Sequence, residues 1–351
     1  MRQLARIEYL ARHLWTFAPY LTLRKVYNLM LNVVELRLII ARPRSMPPYL
    51  KVEPTPLCQM ACPGCAHGDR ELKKQLSVPR EQLRLEEFIR IIEPLQRTAL
   101  GVSLSLRGEP LLGKDLLPII EYAHSRNLAV SFPTNLSLKL NPEKIARLVR
   151  SGVDSIYVSL DGATASSYAR YRLGGDFERV LANVRAIADA RTALGRSRPR
   201  LIWKFVIFDH NRHEVPKLRS EYRHLGFDAY ELVEDYDSAV AKEAQRSHNA
   251  HLVSNKRGCY WAWHTMTVRA DGVVTPCCLG QHNFGLGNTR NERTDEIWRG
   301  ERYARLRRGF STMRAEELHP ICARCLGVAG ERDDLRLSPS NPARSSTVWL
   351  T

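Results

Sequence analysis

From Tyr49 onward the chain alternates short runs rich in β-branched and aromatic residues with longer segments of helical period. No other feature restricts the fold so strongly. The β-like runs are YLKVEP (49–54), GVSLSLR (101–107), LAVSFPT (128–134), SIYVSLD (155–161), LIWKFVIF (201–208) and DAYELV (228–233). Between them lie helices with their own punctuation. In 141–152, Asn141 is placed to cap, Pro142 opens the first turn and Gly152 follows the end. In 177–190, Val180, Leu181, Val184 and Ile187 are spaced for burial. Six strands joined by helices predict a parallel α/β sheet, open or barrel-like, with ligands at the carboxyl ends of its strands.

Past Gly258 the pattern changes. Residues 263–278 read as a hairpin turning at Asp271-Gly272, followed by a helical stretch around 294–308 and by CARC at 322–325. The expected organisation is a basic amphipathic helical preface (1–46), a barrel (47–235), a linker (236–258), a small hairpin-and-helix unit (259–330) and a polar tail (331–351).

The formal charge of +16 calls for an anionic partner. In the preface, segment 19–40 mixes Leu, Val and Ile with Arg and Lys at roughly helical spacing, and basic residues far outnumber Glu8 and Glu35. Such a helix either covers the bottom of the main domain, the commoner case, or lies on an anionic membrane. No signal peptide is evident, and Arg24, Lys25, Glu35 and Arg37 interrupt the best candidate for a membrane span. A cytoplasmic location is therefore expected, with peripheral membrane contact through residues 1–46 as an option. In a reducing compartment the eight cysteines read as ligands or catalysts rather than disulfide partners.

Three of them, Cys58, Cys62 and Cys65, form C-x3-C-x2-C directly after the first strand. Three thiolates are too few to close a tetrahedral zinc site, but they suit a 4Fe–4S cubane with one iron left open. Zinc binding or a scaffold role is the alternative.

With this loop, the segments 107-RGEP-110, Thr134-Asn135 and 158-VSLDGATASSYARYR-172 resemble those of the radical S-adenosylmethionine (AdoMet, SAM) superfamily. The resemblance implies a partial (β/α)6 TIM-type barrel in which the open iron binds AdoMet. An electron from the cluster then cleaves the sulfonium bond to a 5′-deoxyadenosyl radical. It also implies that Gly108 and Glu109 line the methionine amino group, that Thr134 and Asn135 belong to the cofactor site, that Ser159 and Asp161 face the ribose, and that Arg172 pairs with the carboxylate. Leu136 stands where the family has glycine, and Gly64 where it has an aromatic beside the adenine, so adenine contacts must come from elsewhere.

Gly272 and Cys277 fit the G-x4-C element of SPASM and twitch domains. Cys259, Cys277, Cys322 and Cys325 would ligate one auxiliary 4Fe–4S cluster, in a spacing similar to the twitch domain of 2-deoxy-scyllo-inosamine dehydrogenase. A structural zinc is the alternative. Cys278 is left over, either as a small buried residue or as a hydrogen-atom donor. The implied activity is dehydrogenation or epimerisation of a sugar, polyol or other natural-product precursor, with an external flavodoxin or ferredoxin as reductant. Peptide, lipid-linked and tRNA substrates are alternatives, and a non-catalytic electron carrier is a fourth. Nucleic acid is disfavoured, because no aromatic platform with interleaved Arg is present. The catalytic base is not evident; Glu231, Tyr230, Glu234, Arg269 and His264 are candidates.

Overall fold

A computed structural model describes residues 16–63, 65, 67–68, 78, 80–235, 258–277, 284–326 and 328. Its helices and strands run α1 (Leu23–Arg37), β1 (Tyr49–Val52), α2 (Leu85–Ile92), β2 (Gly101–Leu104), α3 (Leu116–Ser125), β3 (Ala129–Thr134), α4 (Pro142–Arg150), β4 (Ser155–Ser159), α5 (Ala165–Tyr171), α6 (Phe177–Ala193), β5 (Arg200–Ile207), α7 (Val215–Glu221) and β6 (Ala229–Glu234). Then come α8 (Tyr260–His264), β7 (Thr265–Val268), β8 (Val273–Thr275), β9 (Gly287–Asn288), α9 (Thr294–Arg299), α10 (Glu301–Thr312) and α11 (Pro320–Leu326). Helix α4 starts as its sequence requires: the Asn141 side chain accepts from Lys144 N–H at 2.7 Å, and Gly152 has φ +89°.

Strands β1 to β6 are parallel and lie in sequence order, the arrangement of a partial TIM-type barrel. The strand faces differ sharply. Leu50, Val52, Val102, Leu104, Val130, Phe132, Ile156, Val158 and Trp203 are buried under the helices. The alternate positions Lys51, Ser103, Ser131, Tyr157, Ser159 and Lys204 are only half-buried and form the inner face of the barrel.

One pairing joins the two units. β7 pairs in parallel with β1, Tyr49 opposite Thr265 and Val52 opposite Val268, and β8 and β9 continue antiparallel. The hairpin unit thus extends the barrel sheet to nine strands. A buried ion pair fixes this junction. Arg107 donates Nε and Nη2 to the two Glu53 oxygens, each at 2.9 Å, and Ala270 N–H reaches Glu53 Oε2 at 3.1 Å.

α1 covers the amino end of the barrel, and its orientation is the reverse of what its apolar spacing suggests. Lys25, Asn28, Asn32 and Glu35 face inward and are buried. Asn28 Nδ2 donates to Met46 O at 3.0 Å, Asn32 Nδ2 to Trp263 O at 2.7 Å, and Glu35 accepts the N–H groups of Arg44 and Ser45 at 2.7 and 3.0 Å. The amides and carboxylate pair with main-chain groups at strand entrances, which an apolar face could not satisfy. No helix among the described residues is long and apolar enough to cross a membrane.

Candidate active site

The loop after β1 carries Cys58, Cys62 and Cys65 and is folded by short-range main-chain bonds. Cys65 N–H donates to Cys62 O at 3.1 Å, and Gly68 N–H to Cys65 O at 2.9 Å. The RGEP turn presses against it, with Glu109 N–H donating to Leu57 O at 2.7 Å. A Cβ on Gly108 would stand 2.3 Å from Thr55 O and 2.5 Å from Leu57 O, so only glycine fits.

Glu109 is buried, and its side chain serves the frame. Oε1 accepts from Leu111 N–H and Thr134 Oγ1 at 3.0 and 2.7 Å, and Oε2 accepts from Asn135 N–H at 2.7 Å. Burial raises its pKa and these bonds oppose the rise. These three donors fill most of the carboxylate's acceptor capacity. Thr134 is spent likewise, while Asn135 turns Nδ2 toward Cys58 Sγ at 3.8 Å. Leu136 takes φ +52°, the left-handed conformation that a glycine would adopt freely. Full burial of its side chain and a bond from Leu136 N–H to Thr134 Oγ1 at 2.9 Å hold it there.

Asp161 is fully buried, its Oδ1 accepts Val206 N–H at 2.8 Å, and its Oδ2 accepts Arg172 Nε at 2.6 Å. Arg172 lies between Asp161 and Cys62, which its guanidinium also touches. Burial opposes the Arg172 charge, but Asp161 and Cys62 outweigh it and raise its pKa.

Burial pushes the Cys58 thiol up to about 12, and the charges of Glu109, Cys65 and Cys62 add to the rise. Cys62 is raised by burial too, with Arg172 opposing. Thiols in this setting ionise when a compensating positive charge binds among them, and iron is such a charge. No group of three metal-binding side chains stands preassembled among the described residues. Three thiols on one short loop beside the close-set Gly108 backbone nevertheless supply the ligand number of a cluster with an open corner.

The second set of cysteines gathers at the other end of the strands. Cys259 caps α8, which leads into the amino end of β7, and Cys277 follows the antiparallel β8. Burial raises the Cys322 thiol, and Cys259 and Cys325 raise it further, so these three lie close together. Cys277 acts on the buried Tyr303 of α10. All seven described cysteines are free of disulfides. Three of these thiols act on one another, and with Cys277 they supply the four ligands that a fully ligated cluster takes. Cys278 and Gly64 lie outside the described residues.

Between the two ends runs the inner face of the barrel. Ser159, Lys204 and Glu231 are lateral neighbours on β4, β5 and β6. Burial lowers the Lys204 pKa; Glu231 opposes this and Lys51 reinforces it. Lys51 Nζ lies 5.8 Å from the Trp261 ring centroid, over its face. Three of the other suggested bases have neighbours of their own. Tyr230 meets Tyr222 edge-on at 5.1 Å, Glu234 pairs with Arg212 at 2.8 Å, and Arg269 pairs with Asp271 at 2.7 Å. Sequence reasoning missed Lys51, Tyr157 and Lys204. Their signal was a polar residue at an alternate position inside an otherwise apolar strand.

Family comparison agrees with this geometry. Residues 52–194 match the radical SAM superfamily, and residues 259–326 match the SPASM iron–sulfur cluster-binding domain. The chain thus carries a radical SAM domain followed by a SPASM domain. The first implies a 4Fe–4S cluster and AdoMet, and the second auxiliary iron–sulfur ligation. It is 30% identical over 147 residues to the AdoMet-dependent heme synthase of Methanosarcina barkeri, covering 42% of this chain and 40% of that one. It is 33% identical over 155 residues to the mycofactocin maturase MftC of Mycobacterium ulcerans, again covering 42% and 40%. The chain thus spans about two fifths of the length of these relatives. The fold is similar to that of Streptococcus suis SuiB bound to the precursor peptide SuiA, with TM-score 0.60, 15% identity, and 82% and 71% of the two chains covered. None of the three is named as a sugar dehydrogenase.

Proposed function

We propose that this enzyme oxidises a polar, anionic small molecule held in the barrel between two iron–sulfur clusters, with dehydrogenation of a carbinol as the leading reaction. The carrying observation is the pair of cysteine groups at opposite ends of one strand layer, with a cationic, hydroxyl-rich face between them. Four strand residues rise about 13 Å at about 3.3 Å each, so a small substrate fits between the ends. When bound at Cys58, Cys62 and Cys65, the cluster and AdoMet supply a hydrogen-abstracting radical.

The chain's own residues handle the rest. Lys51 and Lys204 bind the substrate's anionic group, and Ser159 orients its hydroxyls. Arg172, held by Asp161, receives the AdoMet carboxylate. Glu231 is placed to take the substrate's hydroxyl proton after one hydrogen atom leaves carbon. Cys259, Cys277, Cys322 and Cys325 would hold a cluster that would supply an acceptor for the remaining electron, the sum being a two-electron oxidation to a ketone. A flavodoxin or ferredoxin supplies the starting electron. Peptide modification is the second reading, favoured by the likeness to a maturase.

The test uses reconstituted enzyme and a panel of phosphorylated or carboxylated polyols and of peptides. Lys204→Met should raise KM for the accepted anionic substrate by about tenfold or more, the loss of one charged contact. It should leave substrate-free AdoMet cleavage unchanged. Turnover of peptides alone would overturn this reading.

A further inference from the structure

The outward face of α1 is apolar over its whole length. Leu23 is 92% exposed, Tyr27 69%, Met30 65% and Leu38 66%, with Val34 half open, spaced three or four residues apart on one stripe. Leu21 and Ile40 extend the patch beyond both ends. In a helix that covers a domain these side chains would face the core; here the polar side occupies that place. The orientation is fixed by the buried bonds of Asn28, Asn32 and Glu35, together with the Lys25 ammonium on Asn127 O, and so is not a matter of free rotation.

The charge around the stripe is net positive. Arg24, Arg37, Arg42 and Arg44 are exposed, whereas the only acid on the helix, Glu35, is buried. The acid beside this rim, Glu301, is paired with Arg42 and Arg308. An apolar stripe edged by a net cationic rim complements a surface whose interior is hydrocarbon and whose headgroups are negative.

We infer that α1 is a membrane-docking helix that seats the amino end of the barrel on an anionic phospholipid bilayer, its apolar side chains in the acyl boundary and its arginines at the phosphates. The helix lies in the plane of the surface, as its length and its polar inner face require. Docking leaves the carboxyl end of the barrel, with Cys58, Cys62 and Cys65, facing away from the bilayer. It brings the auxiliary cysteines nearer to the surface, since Gly258 packs against Leu36 of the same helix.

Flotation of the full, reconstituted chain tests this. Vesicles of phosphatidylglycerol and phosphatidylcholine in equal parts should carry it upward, and vesicles of phosphatidylcholine alone should carry much less. A Tyr27→Glu/Met30→Glu/Val34→Glu variant alters exposed side chains only. It should keep its iron content and AdoMet cleavage while losing at least about tenfold in bound fraction. Arg24→Glu/Arg37→Glu should weaken binding to the anionic vesicles only. Absence of flotation overturns the inference and assigns the face to residues 1–15 or to another protein surface. A concentration-dependent dimer abolished by the triple variant, with vesicle binding unchanged, overturns it in favour of a second copy.

Discussion

Replacing Arg107 with methionine tests whether the barrel and the SPASM unit are held in one frame. The guanidinium is 5% exposed and the Glu53 side chain 0%, so water cannot screen the carboxylate left behind. Breaking such a pair costs about 3–5 kcal/mol, because the survivor keeps its desolvation penalty. Two features reduce that figure. Ala270 N–H remains on Glu53 at 3.1 Å, and Arg107 Nη1 is buried without a partner, an unmade bond costing the wild type about 1–3 kcal/mol. The net loss should therefore be about 2 kcal/mol, the middle of the first range less the middle of the second. Adding Glu53→Gln removes the stranded charge, so the double variant should be more stable than Arg107→Met alone. The assay is a urea titration of the anaerobically reconstituted protein, followed by tryptophan fluorescence and by cluster absorbance. A loss below about 1 kcal/mol, or a double variant less stable than the single one, would refute the reasoning.

Two further outcomes follow from the geometry. Gly108→Ala drives a methyl into Thr55 O and Leu57 O and should displace the cluster loop. Iron bound at Cys58, Cys62 and Cys65 should fall while the SPASM iron stays, measured by iron content and by EPR. Burial lowers the His264 pKa from 6.5 to about 4, and its Nδ1 has no partner. The unfolded chain then binds the extra proton first as pH falls. Stability should be level above about pH 6.5 and decline toward pH 4, by up to about 3 kcal/mol from this residue. His264→Phe should flatten that part of the profile in thermal melts, and an unchanged slope would count against it.

Local signals account for the legible part of the fold. Strand alternation, the Asn141 cap and the Asp271-Gly272 turn are near-neighbour effects, and each appears where its residues require it, with Gly272 at φ +80°. The pairing of β7 with β1 was illegible because each strand's own pattern is silent about which distant edge it will meet. The facing of α1 was misleading for a related reason. Period reveals a stripe, but the partners of Asn28 and Asn32 are carbonyls contributed by Met46 and Trp263, which leave no mark in composition. In the candidate site, the cysteine spacing could be read locally, whereas the bonds of Asp161 to Arg172 and to the distant Val206 N–H could not. Lys204 was missed because one lysine in an apolar strand reads as noise until the register sets it beside Ser159 and Glu231.

Cys58, Cys62 and Cys65 are held to carry a cluster with one iron open to AdoMet, and on this the rest depends. The most direct measurement compares EPR spectra of the reduced, reconstituted enzyme with and without AdoMet, in wild type and in a Cys58→Ala/Cys62→Ala/Cys65→Ala variant. The wild type should contain about eight irons, give a cluster signal that shifts on AdoMet addition, and release 5′-deoxyadenosine. The variant should retain about four irons, show no shift and release none. A wild-type signal indifferent to AdoMet, or undiminished AdoMet cleavage by the variant, would contradict this assignment.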